Sequence, residues 1–308
     1  MRVLVTGGTG MLGRQIVRRL REAEHTVRVL SHREASGEMP PGIEWARADL
    51  AEGTGLREAV DGVDAIIHAA TRFPMRGEAK LPSVDVEGTR ALLAAAREAG
   101  VSHILYVSIV GIEHFPGFAY YRWKLHGEEL VREGGVPWTI VRAAQFYPFI
   151  GVLADMVLRL PVAPVPAGAR LQPVATADVA TYLVERVEDG PSRRTHEVVG
   201  PKVHLAADLV RSFARARGRH RVVLPVPVPA RFGSVLRSGA LTSSRGTRGR
   251  QTWAEWLRSD ACEREVGEYW GRLREMRSEA RAQGDHRSAG ITVRETNMTA
   301  SGIERGSQ

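Results

Sequence analysis

The 308-residue chain is poor in several features that define large classes of protein. Its single cysteine, Cys262, excludes an internal disulfide, which is the usual situation in reducing compartments. No apolar run reaches the length of about 18 residues that a transmembrane helix needs. The first residues resemble a strand and not the basic and apolar leader of a secreted protein. These absences favour a cytoplasmic protein without a membrane span.

Lysine is also scarce, and acidic residues are unevenly spread. Lysine occurs only at Lys80, Lys124 and Lys202, so arginine carries most of the positive charge behind the net charge of +8. Residues 209–251 contain ten arginines and no Asp or Glu. This basic segment indicates a solvated surface, an arginine-lined cavity, or a site for an anionic partner such as nucleic acid or a lipid surface. Because no nucleic-acid-binding motif accompanies it, we do not expect a nucleic-acid partner.

What is present is a regular alternation of short apolar runs and helical patterns over the first 145 residues. The strands are predicted at 2–5, 26–30, 43–45, 64–68, 103–107 and 138–142. The helices are predicted between them, at 10–21, 54–60, 84–99 and 119–133. Near-continuous apolar strands separated by helices predict an α/β fold with a Rossmann-type, doubly wound parallel sheet.

The pattern changes after Arg142, where helices are predicted at 149–160, 176–187, 206–217 and 230–241, with a strand at 195–199. A last helix is predicted to start at "TWAEWL" (252–257) and to continue through Arg281, before a polar tail with the composition of disordered chain. We therefore expect a dinucleotide-binding Rossmann core (1–145), a small C-terminal α/β substrate-binding region integrated with it (146–258), and a terminal helix and tail (259–308).

The segment "VLVTGGTGMLG" (3–13) carries the strongest functional signal. A strand runs directly into Gly7, Gly10 and Gly13, and an amphipathic helix follows. The first glycine permits a tight turn, the second lets the backbone approach a pyrophosphate, and the third lets the helix pack close to the strand. The helix N-terminus then offers N–H groups and partial positive charge to phosphates. The segment predicts dinucleotide binding.

The end of the second predicted strand indicates which dinucleotide is preferred. Proteins that prefer NAD usually carry an Asp or Glu there, which binds the ribose 2′-hydroxyl. Here the strand ends in Ser31, His32 and Arg33, and Glu34 comes only later. A hydroxyl and a guanidinium would bind a 2′-phosphate that a carboxylate would repel. The sequence therefore favours NADP(H), while NAD(H) stays possible.

The segment "YYRWK" (120–124) places Tyr120 four residues before Lys124, so both side chains lie on one face of the predicted helix. The neighbouring Tyr121 lies about 100° further round the helix. A tyrosine beside an ammonium group can transfer protons, because the positive charge lowers the pKa of the phenol. We predict that Tyr120 and Lys124 form a functional pair.

Three further segments belong with these motifs: "ADL" (48–50), "HAAT" (68–71) and "VRAAQFYPF" (141–149). Together they resemble the atypical or extended branch of the short-chain dehydrogenase/reductase superfamily, and most of all the NmrA-like NAD(P)H-binding proteins. The likeness covers about residues 1 to 258. It implies a glycine loop completed by Thr9, Met11 and Leu12. It also implies that Asp49 and Leu50 contact adenine, and that the loop of Ala69, Ala70 and Thr71 borders the adenosine ribose and phosphates.

The resemblance also implies roles in catalysis. In such proteins the tyrosine exchanges a proton with the substrate oxygen, and the lysine binds the nicotinamide ribose; Tyr120 and Lys124 match these positions. A serine usually polarises the substrate carbonyl, but an ungapped match puts Ile109 there and Ser108 one residue earlier. Ile109 cannot donate a hydrogen bond, and we expect Ser108 to bond to local backbone. This departure leaves cofactor binding intact and weakens the case for carbonyl reduction.

Other candidates are secondary. His32, His68 and His103 are expected to be structural, and His114 is a possible substitute acid. Gln145 and Phe146 follow the sixth strand, where the chain of this family usually passes the nicotinamide. No His, Cys and Asp cluster has metal-ligand spacing. The Val-, Leu-, Pro- and Phe-rich region after Arg142 suits a hydrophobic or aromatic substrate, and an anionic compound and a quinone are both compatible with it.

Three functions remain open. The leading one is an oxidoreductase that uses NADP(H) to reduce a small apolar carbonyl, enone or quinone. The second is a regulatory protein that senses NADP(H) with little or no turnover, and the third is a nucleotide-sugar epimerase or dehydratase. A monomer or a homodimer is expected with each.

Overall fold

The computed structural model describes residues 1–34, 41–72, 83–228, 230–275 and 278. The first half alternates strands and helices in the following order: β1 (Arg2–Thr6), α1 (Met11–Glu22), β2 (Thr26–Ser31), β3 (Ile43–Arg47), α2 (Leu56–Val60), β4 (Ala65–His68), a π-helical turn (Ser83–Gly88), α3 (Thr89–Glu98), β5 (His103–Ile109), a 3-10 turn (Ile112–His114), α4 (Ala119–Glu133) and β6 (Trp138–Ala143). The predicted alternation is confirmed.

The second half adds shorter elements: α5 (Tyr147–Val157), β7 (Val162–Pro166), β8 (Arg170–Leu171), α6 (Thr176–Glu188), β9 (Thr195–Val199), β10 (His204–Leu205), α7 (Ala206–Ala216), β11 (Val222–Val226), α8 (Ala230–Ser238), β12 (Thr247–Arg248) and α9 (Trp253–Arg258). A further C-terminal helix occupies 260–275. The predicted disordered tail lies outside the described residues.

Eight strands form one parallel sheet in the order β12-β9-β6-β5-β4-β1-β2-β3. This is the doubly wound Rossmann arrangement, extended by β9 and β12 beside β6. The chain reverses direction across the sheet between β1 and β4, and ligands of such folds bind at the carboxyl ends of the strands at that point. The glycine loop follows β1, and Ala69–Thr71 follow β4, so both lie at this point of the sheet.

Helices cover both faces of the sheet, and this explains the continuous apolar strands. On one face α1 and α6 pack together, with Ile16 and Leu183 completely buried against the strands. On the other face α2, α3 and α4 pack through residues such as Leu56, Leu92 and Val131. Because the central strands are buried on both sides, both alternate sets of side chains must be apolar.

A separate apolar cluster fills the second half. It joins α5, α7, α9 and the C-terminal helix to the small parallel pair of β7 and β11. The largest buried side chains in it include Tyr147, Phe213 and Trp256. Most of its residues follow β6 in the chain, whereas α6, β9 and β12 belong to the main sheet and its helical cover.

One predicted helix is divided. The helix predicted from 252 through Arg281 breaks at Ser259, which is extended, with φ −89° and ψ 153°. The Ser259 hydroxyl donates a hydrogen bond to the carbonyl of Trp256 at 2.8 Å, so it competes with the helical pattern of the backbone. The prediction of one continuous helix was wrong, because α9 ends at Arg258 and a separate helix occupies 260–275; the predicted end at Arg281 lies outside the described residues.

Candidate functional site

The glycine loop is shaped by backbone contacts that a side chain would prevent. Gly7 has a φ of +69°, in the left-handed region that favours glycine. A Cβ atom on Gly13 would lie 2.0 Å from the carbonyl oxygen of Gly7, and one on Gly10 would lie 2.8 Å from it. Gly10 caps α1 without a side-chain hydrogen bond, and no acidic residue lies in the first turn. The start of α1 is therefore suited to bind phosphates.

The other predicted residues of this loop contribute mainly backbone. The carbonyl of Thr9 accepts hydrogen bonds from Arg14, at 3.2 Å, and from Arg272 of the C-terminal helix. Met11 is partly buried, and Leu12 is buried in the apolar core between the sheet and its helices. The Leu12 side chain is therefore committed to packing, so it can serve a ligand only through its backbone.

At the end of β2 the three predicted residues have different environments. The Ser31 hydroxyl is buried and accepts a hydrogen bond from the backbone N–H of Arg33 at 3.1 Å, while His32 is exposed. The Arg33 guanidinium lies 4.0 Å from the carboxylate of Glu275. The Glu34 carboxylate pairs with Arg47 on β3 at 2.9 Å. Glu34, the first acid after β2 in the sequence, is thus paired with an arginine of β3.

The predicted adenine and ribose segments follow β3 and β4. Asp49 is half-buried, and one of its carboxylate oxygens accepts a hydrogen bond from the N–H of Ala51 at 2.7 Å; Leu50 is buried. Ala70 approaches Gly7 so closely that a Cβ on that glycine would lie 2.9 Å from the Ala70 Cα atom. The loop after β4 is therefore pressed against the glycine loop, as a dinucleotide cleft requires.

The predicted pair on α4 belongs to a polar network around the buried Asp85. The Tyr120 hydroxyl lies 3.1 Å from the hydroxyl of Thr71, which donates a 2.7 Å hydrogen bond to the carboxylate of Asp85. The Lys124 ammonium lies 3.6 Å from the same carboxylate and 4.2 Å from the centre of the Tyr106 ring. Thr71, expected at the adenosine ribose and phosphates, thus lies beside the tyrosine.

Sequence reasoning missed Asp85. It lies in the π-helical turn before α3 and is almost completely buried. It accepts hydrogen bonds from Thr71 and from the backbone N–H of Arg72 at 3.0 Å, and it faces Lys124. A buried carboxylate is stable only with such partners. Its one sequence signal is an acid inside the apolar run "VDV" (84–86), which no motif marks as functional.

A second hydrogen-bonded chain connects the two central strands to this carboxyl-bearing turn. The Ala70 N–H donates to Thr6 at 3.2 Å, and the Thr6 hydroxyl lies 2.6 Å from His68 Nδ1. His68 Nε2 lies 2.9 Å from the hydroxyl of Thr89, which donates to the carbonyl of Asp85. Every bond in this chain is satisfied by a neutral His68 protonated on Nε2. Burial lowers the pKa of His68 to about 3, consistent with that form.

The serine expected near the substrate is used elsewhere. The buried Ser108 hydroxyl donates a 2.6 Å hydrogen bond to Glu128, so the prediction of a bond to local backbone was wrong in its partner. Glu128 also accepts two bonds from Arg142, at 2.8 and 2.9 Å, and one from Arg132. This network fixes α4 against β5 and β6. Ile109 is half-buried and supplies no donor.

Gln145 is the clearest candidate for a cofactor ligand after β6. Its side chain is 9% exposed, and neither its amide nitrogen nor its amide oxygen has a hydrogen-bond partner within the described ranges. Buried amides are normally paired. A nicotinamide carboxamide offers one donor and one acceptor, so it fits this side chain. Phe146 is half-buried, and its backbone bridges to Val174.

His114 and Tyr121 are separated from this network by their surroundings. His114 lines a polar cavity of about 310 Å³ together with Glu113 and Glu197. Tyr121 packs in an aromatic cluster with Phe115, Phe118 and Phe232, at ring distances of 5.7 to 5.8 Å from the first two. Its ring centre lies 5.9 Å from that of Tyr120. The cluster therefore borders the predicted pair with apolar surface.

Several arginines of the basic segment 209–251 pair with acids outside it or at its border. Arg211 contacts Asp208 at 2.9 Å, and Arg219 contacts Asp155 at 2.8 Å.

His103, also expected to be structural, is buried and lies 3.0 Å from the hydroxyl of Thr139. Within the described residues no group of three or more His, Cys, Asp or Glu side chains could hold a metal ion. In the same part of the chain no helix is long and apolar enough to cross a membrane.

Comparison with known proteins agrees with a nucleotide-binding fold. A family model described as NAD(P)H-binding matches residues 7–189. The photosystem II assembly factor Ycf39 of Synechocystis sp. is 30% identical over 233 residues, which cover 74% of this chain and 71% of that protein. The NAD(P)H azoreductase of Xenophilus azovorans is 26% identical over 221 residues, 70% of this chain and 74% of its own.

Solved structures extend the likeness to the whole fold. A short-chain dehydrogenase/reductase superfamily protein of Agrobacterium tumefaciens with bound NAD superposes with a TM-score of 0.66, covering 90% of this chain and all of that one at 21% identity. At this identity the match concerns the fold. Together with the family model and the relatives, it confirms the resemblance found in the sequence and the predicted Rossmann fold. The chain belongs to the NAD(P)H-binding family whose model it matches, and the comparisons support the predicted likeness to the atypical short-chain dehydrogenases/reductases.

Proposed function

We propose that the protein is a reductase that uses NADPH to reduce a small apolar carbonyl, enone or quinone, with Tyr120 as the proton donor. One observation carries the proposal. The Tyr120 hydroxyl lies 3.1 Å from Thr71, and Thr71 lies 2.7 Å from a buried carboxylate that also faces Lys124. A tyrosine within such a network has the partners that a positioned acid needs.

The protonation state of Tyr120 suits reduction. Burial raises the pKa of the Tyr120 phenol, and Lys124 acts in the opposite direction. The phenol therefore stays protonated at neutral pH and can donate a proton to a substrate oxygen. When bound, the dihydronicotinamide supplies a hydride. Lys124 is held by Asp85, and its ammonium group would stabilise the phenolate that remains after the proton has left.

Thr71 supplies a hydroxyl beside Tyr120, whereas Ile109 has no hydrogen-bond donor in its side chain. A hydroxyl has one proton and accepts through its lone pairs. In the structure the Thr71 hydroxyl lies within donating distance of Asp85, at 2.7 Å, and of the Tyr120 oxygen, at 3.1 Å. When it donates to Tyr120, it fixes the direction of the phenol and leaves the phenolic proton for a substrate oxygen. Thr71 therefore acts as a positioning residue. Gln145 would hold the nicotinamide carboxamide at the other side of the site.

The substrate class is inferred from the aromatic cluster beside Tyr120. Phe118 is 50% exposed and Phe232 is 37% exposed, although both rings are large and apolar. Planar, conjugated substrates stack on such surfaces. The related NAD(P)H azoreductase is named for the reduction of azo compounds, whose N=N bond is a conjugating group, and this supports the same choice. Ser31 and Arg33, with Glu34 held by Arg47, support NADPH over NADH.

The decisive experiment compares the neighbouring variants Tyr120→Phe and Tyr121→Phe in the full-length protein. Both remove one phenolic hydroxyl from α4, but only the first removes the proposed donor. We expect Tyr120→Phe to lower kcat by about 100-fold or more on a quinone or enone that the wild type reduces. We expect its Kd for NADPH, measured by fluorescence titration, to change less than about twofold. Tyr121→Phe should keep most of the turnover.

Full activity in Tyr120→Phe would overturn the role of this residue. The reductase itself would be ruled out if the wild type bound NADPH but turned over no quinone, enone, ketone or azo compound. That second outcome would favour an NADP(H)-sensing regulatory protein. Two findings support this alternative: the Ser108 hydroxyl is hydrogen-bonded to Glu128, and the chain is similar to an assembly factor. It would show as partner binding that differs between NADP⁺ and NADPH.

A further inference from the structure

The C-terminal helix (260–275) connects the two halves of the molecule. One face of it is anchored to α5, where the Trp270 indole N–H donates to Asp155 at 3.0 Å and the Tyr269 ring lies 5.9 Å from that of Phe149. The Arg159 guanidinium lies 4.4 Å from the centre of the Trp270 ring. These contacts fix the helix on the side of the apolar cluster. The helix lies well beyond the residues that the NAD(P)H-binding family model matches.

The opposite face of this helix lies against the glycine loop. Glu268, Arg272 and Glu275 are spaced by four and three residues, so they lie along one face. Arg272 donates to the carbonyl of Thr9, and its guanidinium lies 3.6 Å from the place where a Cβ on Gly10 would be. Glu268 contacts Arg14 of α1, and Glu275 lies 4.0 Å from Arg33.

Positive charge therefore converges where the phosphates of a dinucleotide bind. Burial, and then the charge of Arg14, lower the pKa of Arg272, with a smaller effect of Arg33 in the same direction; Glu268 and Glu275 act in the opposite direction. Three guanidinium groups face two carboxylates here, which leaves one excess positive charge beside the N-terminus of α1. An anion with several oxygens would satisfy this arrangement better than the two carboxylates do.

We propose that Arg272 binds the cofactor pyrophosphate from above the glycine loop, so that the C-terminal helix forms an outer wall of the dinucleotide site. The carboxylates of Glu268 and Glu275 then serve as counter-ions that the phosphates displace. This inference rests on NAD(P)H binding but not on turnover. It assigns a cofactor contact to a residue outside the nucleotide-binding half, and it connects that contact to the apolar cluster through Trp270.

The test is a comparison of Arg272→Gln with Arg274→Gln. Arg274 lies on the same helix and is exposed, so both variants lose one positive charge from the same element. Kd values for NADPH and NADH would be measured by fluorescence titration of the full-length proteins. We expect Arg272→Gln to raise both values by about tenfold, the effect of losing one charge-assisted hydrogen bond. Arg274→Gln should change them less than about twofold.

The two cofactors locate the contact. Both carry the pyrophosphate and only NADPH carries the 2′-phosphate, so equal losses support the proposal and a loss confined to NADPH would overturn it. Unchanged or tighter binding by Arg272→Gln would also overturn it. Thermal unfolding of each variant separates a binding effect from loss of the helix, and Glu268→Gln should bind both cofactors as tightly as the wild type or more tightly. A wild type that binds both cofactors without turnover would contradict the proposed reductase and leave this test intact.

Discussion

The glycine loop of the nucleotide-binding half and the apolar cluster of the second half achieve close packing in different ways. In the nucleotide-binding half the critical contacts are made by backbone: Gly13 faces the carbonyl of Gly7, and Gly7 faces Ala70. In the second half the equivalent close approach at Gly151 is to side chains, those of Val266, Trp256 and Phe213. Backbone contacts leave no room to adjust, whereas side chains can change rotamer. The cofactor end of the site is thus geometrically fixed.

The polar groups differ in the same way. The first half buries His68 and Asp85 in connected networks, each group having defined partners. The second half buries mainly aromatic and aliphatic groups, and its arginines form pairs that reach the surface, such as Arg211 with Asp208. A precise polar arrangement suits a cofactor of constant structure. An adjustable apolar region fits the proposal that the second half selects the substrate.

The largest expected effect comes from adding one methyl group at Gly13, and Gly151 provides the comparison in the second half. Gly13→Ala should destabilise the protein by about 3 kcal/mol or more, because the new Cβ would meet backbone at 2.0 Å. Gly151→Ala should cost about 1–2 kcal/mol, because its nearest neighbour is a valine methyl group at 2.7 Å. Urea unfolding measures both changes in the free energy of unfolding. Equal changes would contradict the expectation that backbone contacts adjust less than side-chain contacts.

An intermediate effect is expected from acid. Burial lowers the pKa of His68 to about 3 and that of His103 to about 4, so the unfolded chain binds these protons first. The stability that they contribute is complete above about pH 6.5 and falls as the pH drops toward those values. Between pH 8 and 5, each histidine should cost about 2 kcal/mol of unfolding free energy.

The matched variant for this effect is His68→Gln. Its unfolding free energy should fall by about 2 kcal/mol less than that of the wild type between pH 8 and 5, whatever its stability at pH 8. Urea titrations at the two pH values measure the difference. An identical pH dependence in the two proteins would show that His68 does not take up a proton on unfolding in this range.

The smallest effect is expected in the second half, at Thr252. Its hydroxyl accepts a hydrogen bond from the N–H of Glu255 at 3.2 Å, and the Glu255 carboxylate accepts one from the N–H of Thr252 at 2.8 Å. This is a capping box at the start of α9. Thr252→Ala should cost about 1 kcal/mol and leave the Kd for NADPH unchanged. A change in cofactor affinity would show that the halves are coupled through α9.

The strands of the core and the glycine loop were accessible to prediction because their signals are local. A strand buried on both faces must be apolar throughout, and a loop that approaches a helix must lack Cβ atoms at fixed spacings. The same holds for α4, where a spacing of four places Tyr120 and Lys124 on one face. The break at Ser259 was missed because a single hydroxyl bonding to backbone decides it.

Other features follow from the tertiary structure alone. Asp85 is one acid in an apolar run, and nothing nearby in the chain indicates that Thr71 and Lys124 converge on it. Ser108 was assigned to backbone because Glu128 lies 20 residues further along, one turn after Lys124 on the same helix. Arg272 meets Thr9 across 263 residues.

By itself the sequence determined the class of fold, the nucleotide-binding loop and the tyrosine–lysine pair, since each depends on residues that are neighbours in the chain or within one helical turn. Only the tertiary structure decided which groups surround that pair and what covers the loop. Those contacts join segments that the sheet order brings together, and the free energy that selects them is distributed over the packing of the whole molecule.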